Sequence, residues 1–154
     1  MSINTENISE RRLVNRLKSY WDNLRENAET PLFQKFNQNS IIDMWDNCMH
    51  FQANATSQRK KIYQCKHIGK NLTIAFGKEL KDRYVSSYDK RILPGSNLAE
   101  AMDNACDNRV FVLSSGQFVN KGNIVIKYRD CIMPFCNIDD TITDLVIGIS
   151  WKSF

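Results

Sequence analysis

Three hydrophobic runs in the last third of the chain constrain its fold more than any other feature. Residues 110–114, 122–134 and 144–151 follow one another with only short polar turns between them. Apolar and polar residues alternate within the last two runs, which is typical of strands that bury one face. Consecutive strands joined by short turns pair antiparallel, so the sequence predicts an antiparallel meander at this end of the chain.

The earlier part of the chain combines helical patterns with one further pair of strands. Apolar residues recur at helical spacing over 10–27, 40–47 and 97–106. Residues 48–55 and 61–68 alternate instead and predict a hairpin. Helices together with one antiparallel sheet make an α+β protein in which helices cover the sheet.

The first predicted helix, for which Ser9 is the expected N-terminal cap, carries an apolar stripe. Two interpretations of this stripe stay open. The helix packs on its own domain, or Leu17, Trp21 and Leu24 form the interface of a homodimer. Basic residues on the opposite side of the helix leave contact with nucleic acid or a membrane surface open as well.

The length of the chain limits its domain organisation, and its net charge limits the class of partner. The 154 residues suit one domain, which we divide into an N-terminal helix, 1–30, as dimerisation element and a sheet domain, 31–154. A domain of this length buries roughly 70% of the surface of its unfolded chain, so it needs no disulfide or metal to fold. The net charge of +4 is spread along the chain, which disfavours nucleic acid as the partner.

Cysteine usage and the lack of long apolar runs indicate the compartment. The chain has five cysteines and no Cys-x-x-Cys pair, a pattern that favours reduced thiols used as small hydrophobes. The N-terminal residues are polar and do not resemble a signal peptide. No run approaches the roughly 20 apolar residues of a membrane span. We therefore expect a cytoplasmic protein that does not contact membranes.

Strand alternation assigns the residues that face inward. In the second strand of the hairpin, Tyr63, Cys65 and His67 alternate with polar residues, so these three are expected to face the core. The same count in the later strands completes the predicted lining of an internal cavity: Tyr63, Cys65, His67, Ile126, Tyr128, Ile147 and Ile149. Such a cavity suits a small, mostly apolar ligand with one or two polar anchors. The alternative is that the same residues pack as a solid core.

Four short motifs give the chain a resemblance to a known family. They are YWDNLR at 20–25 with Pro31 after it, YQCKHIG at 63–69, FG at 76–77 followed by Leu80, and CIMPF at 131–135. From about residue 13 to residue 152 the chain resembles the short single-domain PAS-like proteins that are widespread in alphaproteobacteria. It departs from their pattern at 37–39, where Asp-Pro is usual, at Lys70, where Thr is common, and after Pro31, where Arg is missing.

This resemblance implies a fold and a class of function. The fold would be a five-stranded antiparallel sheet in the order 2-1-5-4-3, with helices on one face and an extra N-terminal helix. The function implied is sensing, regulation or protein association. A signal would leave such a domain through a change of partner or of dimer geometry.

His67 has the widest chemical range of the candidate residues, because imidazole titrates near neutral pH and binds metals. Three roles stay open for it: a hydrogen-bonded core residue, which is favoured, a contact to a ligand, or a ligand of a metal or haem. His50 has the opposite parity in its strand and is expected at the surface.

Motifs that carry catalysis are missing from the sequence. There is no phosphate-binding loop, no Gly-x-Ser-x-Gly and no His-Glu-x-x-His. Cys131 and Cys136 have no further ligand at zinc spacing, and Asp139, Asp140 and Asp144 fit a turn. The Asn-Cys-Arg core of flavin-binding photosensors is also missing. We therefore expect no catalytic residue and no metal, and the sequence identifies no cofactor.

The sequence favours a non-enzymatic sensory or regulatory domain that acts through a small ligand, an unidentified protein partner or a homodimer. One rival is an enzyme or small-molecule carrier of the cone-shaped isomerase type. An enzyme of that type needs an inward carboxyl with a raised pKa, and Asp130 is the only strand carboxylate with that parity. The other rival is a weak nucleic-acid-binding regulator, with the basic run Arg59-Lys60-Lys61 as candidate contact.

Overall fold

The computed structural model describes residues 10–55, 61–89, 93 and 96–154, and these residues form an α+β protein as predicted. The α-helices are α1 (Glu10–Arg25), α2 (Thr73–Phe76) and α3 (Leu98–Asn108). The strands are β1 (Cys48–Ala55), β2 (Lys61–Ile68), β3 (Tyr84–Val85), β4 (Val112–Val119), β5 (Val125–Cys136) and β6 (Ile142–Ser153). Short 3-10 turns occupy Phe33–Lys35, Gln38–Ile41, Trp45–Asn47, Lys70–Leu72 and Lys78–Leu80. The predicted cap Ser9 and the predicted basic contacts Arg59 and Lys60 lie outside the described residues.

Local signals explain where the helices begin and end. Helix α1 stops at Arg25 because Glu26 adopts a left-handed backbone with φ of +53°. At the start of helix α3, the Ser96 hydroxyl, one residue before the N-cap Asn97, accepts a hydrogen bond of 3.1 Å from the Leu98 N–H. The helix predicted at 40–47 is wrong, since this stretch forms parts of two 3-10 turns instead.

The strands form one antiparallel sheet in the order β3-β2-β1-β6-β5-β4. The sheet therefore differs in number and order from the predicted five strands in the order 2-1-5-4-3, but the difference is one added strand, β3; the other five strands lie in the predicted order. A sixth strand, β3, pairs with Tyr63 and Gln64 at the β2 edge, and two residues are too few to show alternation in a sequence. Strands β1 and β6 lie side by side in the middle of the sheet.

The inner face of the sheet carries the larger of two hydrophobic cores. Helices α2 and α3 and the turns around α2 cover this face, where they pack on alternate residues of the long strands. Phe51, Ile132 and Ile147 are fully buried there, together with Leu98 and Met102 of α3. Each side chain of this size stabilises the fold by roughly 1.5–3 kcal/mol when it is buried.

The outer face carries a second core under α1. Leu13 and Leu17 pack on β5 and β6, and a Cβ at Gly148 would overlap the Leu17 side chain. Trp21 Nε1 donates a hydrogen bond of 2.8 Å to the Pro134 carbonyl, so the indole is both buried and satisfied. Glycine at position 148 therefore allows α1 to approach the sheet closely.

The residues predicted to form a dimer interface are used within one chain. Leu17 is 0% exposed and Trp21 is 3% exposed, and Leu24 is partly buried against the same core. Because the sheet already covers these side chains, an interface through α1 would have to use its other residues. The division at 1–30 and 31–154 stays a prediction.

A bulge in β2 changes the face on which His67 lies. His50 pairs with His67, but the next pair along β1 is Phe51 with Cys65, so Lys66 has no partner in β1. One extra residue inverts the alternation beyond it. The prediction that His67 faces inward with Tyr63 and Cys65 is therefore wrong, and the imidazole lies on the outer face.

Candidate functional site

Six of the seven residues predicted to line a cavity meet on the inner face, and His67 does not. These six belong to the larger core, and none is more than 2% exposed: Tyr63, Cys65, Ile126, Tyr128, Ile147 and Ile149. Their side chains pack against one another and against the helices. The middle of the inner face is consequently packed, and any open space must lie at its margin.

The two tyrosines of this group connect the sheet to the region of α3. Tyr63 OH donates a hydrogen bond of 2.5 Å to Asp103 Oδ1, and Tyr128 OH donates one of 2.5 Å to Asn97 Oδ1. Burial raises the pKa of both phenols, so both hydroxyls keep their protons at neutral pH. They act as fixed donors that hold the helix over the sheet.

A cavity of about 210 Å³, which we call the inner cleft, opens at the margin of the inner face. It lies between α2 and the turn that joins β4 to β5. Its lining is Ile74, Ala75, Phe76, Gly77, Glu79, Leu93, Phe118, Asn120, Lys121 and Gly122. The Phe76 and Phe118 rings lie 5.3 Å apart, and Phe76 also contacts the Tyr128 ring at 5.6 Å. These contacts join the aromatic wall of the cleft to the packed core.

Polar groups of the inner cleft hold its two sides together. Asn120 Nδ2 donates a hydrogen bond of 3.1 Å to the Ile74 carbonyl, which ties the β4–β5 turn to α2. The Glu79 carboxylate lies 3.6 Å from Lys121 Nζ, and both side chains are more than half exposed. Exposed pairs of this kind are worth only about 0–1 kcal/mol, so a ligand can displace this one at little cost.

None of the seven predicted lining residues borders the inner cleft. Its walls come mainly from α2 with the turn after it, 74–79, and from the end of β4 with the turn after it, 118–122, which the sequence presents only as a helix end and a hairpin turn. Gly77, with φ of +91°, marks the first turn. Nothing in the pattern of a single sequence indicates that these turns meet in space.

Asp130 is a carboxyl buried on the inner face of β5, at 2% exposure, as its strand parity predicted. Its Oδ2 accepts a hydrogen bond of 2.6 Å from the Ser114 hydroxyl, and its Oδ1 is buried without a hydrogen-bond partner among the described residues. Burial raises the pKa of Asp130 to about 6, against the lowering effect of the Ser114 hydrogen bond. The inner cleft does not reach this carboxyl, so a substrate in the cleft would not contact it.

Two histidines face each other across β1 and β2 on the outer face. His50 Nε2 lies 2.7 Å from Asp144 Oδ2, and its ring stacks on Phe33 with centroids 5.1 Å apart. The His67 ring stacks on Trp45 at 4.2 Å, and its Nε2 lies 3.2 Å from the Trp45 carbonyl oxygen. Burial lowers the pKa of His67, which favours a neutral ring that donates to this carbonyl.

The surface position predicted for His50 is wrong, because its side chain is only 17% exposed and contacts a carboxylate that is 8% exposed. That carboxylate, on Asp144, was predicted to lie in or next to the turn before the last strand, and it lies within β6, which begins at Ile142. The sequence missed this pair because β1 and β6 are far apart in the chain and become neighbours only in the sheet.

The thiols lie in surroundings that keep them protonated. All five cysteines are buried and free of disulfides. Burial raises the pKa of Cys65 and of Cys131 to about 12, so neither is a ready nucleophile. Among the described residues, no group of three or more His, Cys, Asp or Glu side chains is placed to hold a metal ion.

Two further findings bear on the class of protein. In the part of the chain that the structure describes, no helix is both long and apolar enough to cross a lipid bilayer. No protein-family model matches the chain, and no curated protein matches it either. The resemblance to PAS-like proteins, and the function that it implies, stay predictions that rest on the sequence motifs.

Proposed function

We propose that this chain is a regulatory domain that binds a small, mostly apolar molecule in the inner cleft and acts through protein association. The observation that supports this most is the composition of the cleft. Phe76 and Phe118 form an aromatic wall, and Asn120, Glu79 and Lys121 supply polar groups next to it. An apolar site with a few polar anchors is the usual form of a small-molecule site.

The size of the cleft limits the ligand. Its volume of about 210 Å³ is below the roughly 300–1,000 Å³ of sites for drug-sized molecules. An engineered apolar cavity of about 150 Å³ holds benzene. The ligand we propose is therefore a compact molecule somewhat larger than benzene, with one or two polar substituents.

The position of the cleft supports a regulatory role. Its two walls belong to separate elements, α2 with its flanking turns and the β4–β5 turn, and the Asn120 hydrogen bonds join them. A ligand between these elements would change their separation. Such a change on the surface can alter the affinity for a second copy of the chain or for another protein. We place the domain in the cytoplasm, in keeping with its five free cysteines.

A pair of matched substitutions tests the proposal. Ile74 lines the cleft at 58% exposure, and Ile42 lies away from it at 59% exposure. Ile74→Trp should fill the cleft and Ile42→Trp should leave it open. Native mass spectrometry of each protein after incubation with a small-molecule extract of the host cells would measure occupancy.

We expect about one bound molecule per chain in the wild-type protein and in Ile42→Trp, and none in Ile74→Trp. No bound molecule in the wild-type protein, or equal occupancy in the two variants, would contradict ligand binding in the cleft. The same spectra report the oligomeric state with and without ligand. An unchanged state and an unchanged set of co-purifying proteins would contradict regulation by association.

A further inference from the structure

The described elements cover only part of the outer face of the sheet. Helix α1 packs over Cys131 and Gly148, and Glu10 at its N-terminal end borders a part of β4, β5 and β6 that no described element covers. A groove of about 740 Å³ lies there. Its lining is Glu10, Ser115, Gly116, Gln117, Lys127, Tyr128, Arg129, Ser150, Trp151, Lys152 and Phe154, and we call it the basic groove.

Strand register concentrates positive charge in the basic groove. Lys127 of β5 stands directly opposite Lys152 of β6, and Arg129 lies two residues along β5 on the same face. Neighbouring strands are about 4.8 Å apart and residues i and i+2 about 6.8 Å apart. Three cations therefore share a patch of roughly 5 by 7 Å at the backbone level.

This charge is not neutralised within the described part of the chain. Like charges directly opposite each other in a sheet destabilise it. No carboxylate among the described residues forms an ion pair with Lys127 or Lys152, and Glu10 pairs only with Arg129, at 3.1 Å. Among the charged side chains that line the groove, one carboxylate against three cations leaves a net charge of +2, which a bound polyanion would neutralise.

The rest of the groove supplies hydrogen-bond donors and one aromatic ring. Ser115 and Ser150 stand on either side of Arg129, and Gln117 stands beside Lys127, all on the outer face. Phe154 is 62% exposed at the rim, with Lys127 Nζ 4.5 Å from its ring centroid. Cations, hydroxyls and an amide suit phosphate oxygens, and an exposed ring suits a planar base.

We propose that the basic groove binds a phosphate-bearing ligand of nucleotide size, with phosphates on Lys127, Lys152 and Arg129 and the base beside Phe154. The volume falls within the roughly 300–1,000 Å³ of small-molecule sites. The groove lies on the opposite face of the sheet from the inner cleft. This site is therefore separate from the one in the proposed function, and either can fail without the other.

Isothermal titration calorimetry of the full chain with ATP, inorganic tripolyphosphate and adenosine tests the site. ATP should bind once per chain, tripolyphosphate more weakly and adenosine not measurably. The double variant Lys127→Gln/Lys152→Gln should lose about tenfold or more in affinity for ATP, the effect expected when charged hydrogen bonds are removed. Lys127→Arg/Lys152→Arg should stay within about threefold of wild type, because it keeps the charge.

A matched control removes the same charge elsewhere. Lys66 and Lys78 are exposed and lie outside the groove, so Lys66→Gln/Lys78→Gln should bind ATP within about twofold of wild type. Phe154→Ala should weaken binding of ATP and leave that of tripolyphosphate unchanged. Thermal unfolding curves of all variants confirm that each is folded before it is titrated.

Three results would overturn the proposal. Equal losses in the groove variant and in the control variant would show attraction to net charge alone. No binding of ATP by the wild-type chain would remove the site. Binding of a ten-residue oligothymidylate about tenfold or more tighter than ATP, through the same lysines, would replace the nucleotide with single-stranded nucleic acid.

Discussion

The two faces of the sheet are built from the same strands but differ in their side chains and in the elements that cover them. On the inner face, β5 and β6 present apolar residues along their length, and helices close over them. On the outer face, the same strands are apolar beneath α1 and the turns that follow it, and they are basic beside Glu10 at the N-terminal end of α1. In this sheet, the chemistry of a side chain therefore depends more on what covers its position than on the strand to which it belongs.

The difference extends to the charged groups of each face. Asp130 is sealed into the inner face with one carboxyl oxygen unpartnered, whereas Lys127 and Arg129, within three positions of it, are open to solvent. A charge is costly only where water is excluded. The free energy of unfolding should therefore change strongly when a side chain on the inner face is made smaller or when Asp130 is ionised. It should change little when a side chain on the open part of the outer face is replaced.

The largest effect is expected from a cavity in the inner face. Ile147→Ala removes a fully buried side chain in β6, between β1 and β5, and should lower the free energy of unfolding by about 2–5 kcal/mol. Lys152→Ala, on the open outer face of the same strand, should change it by less than about 0.5 kcal/mol. Urea denaturation measures both. Equal losses in the two variants would contradict the contrast between the faces.

The next largest effect is expected from the buried carboxyl. The pKa of Asp130 is about 6 in the folded protein against an ordinary value of 3.8, so the folded state holds the proton more tightly than the unfolded chain. Its stabilising contribution is present below about pH 4 and is lost as the pH rises through 6. The loss between these values should reach about 3 kcal/mol in the wild type and be missing in Asp130→Asn.

Urea denaturation at a series of pH values measures this loss. Asp43→Asn is the control, because Arg16 lowers the pKa of this exposed carboxyl through a hydrogen bond and its effect has the opposite sign. If the free energy of unfolding changed with pH in the same way in the wild type and in Asp130→Asn, the prediction would be contradicted. Ionisation of this buried carboxyl would then not destabilise the folded protein.

The smallest effect is expected from the outer-face imidazole. Burial lowers the pKa of His67 below its ordinary value of 6.5, so its stabilising contribution is present above that pH and lost as the pH falls. The direction is opposite to that of Asp130. NMR titration of the imidazole protons should give a pKa below 6.5, and His67→Gln should reduce the loss of stability in acid. A measured pKa at or above 6.5 would contradict the burial of this ring.

Patterns that extend over many residues predicted their elements correctly. The strands β1, β2, β5 and β6 each show alternation over at least six positions, and the helical spacing over 97–106 predicted α3. The short strand β3 and the 3-10 turns near residue 40 were not predicted, because elements of two to four residues are too short to show a periodic pattern. Asp130 could be placed inward because no bulge interrupts β5 between it and Tyr128.

The candidate site was less predictable than the fold, for two physical reasons. A single unpaired residue, Lys66, inverted the parity of His67, and a bulge leaves no mark in composition. The inner cleft lies where α2 and the turn after it meet the β4–β5 turn, and this contact depends on how α2 packs on the sheet. Counting alternate residues along a strand identifies the side chains that face the core. It does not identify the inner cleft, which lies at the margin of the core.

The central position of β1 and β6 has a consequence for biosynthesis. Met49 pairs with Ile147, about 100 residues later in the chain, and contacts so distant in sequence form slowly. As the polypeptide leaves the ribosome, the β1–β2 hairpin can form early. The other edge of β1 stays unpaired with β6 until β6 has been translated. An open strand edge invites pairing with other chains. A nascent chain stalled before residue 142 would keep that edge exposed, so the pairing of the last strand is the step that completes the sheet.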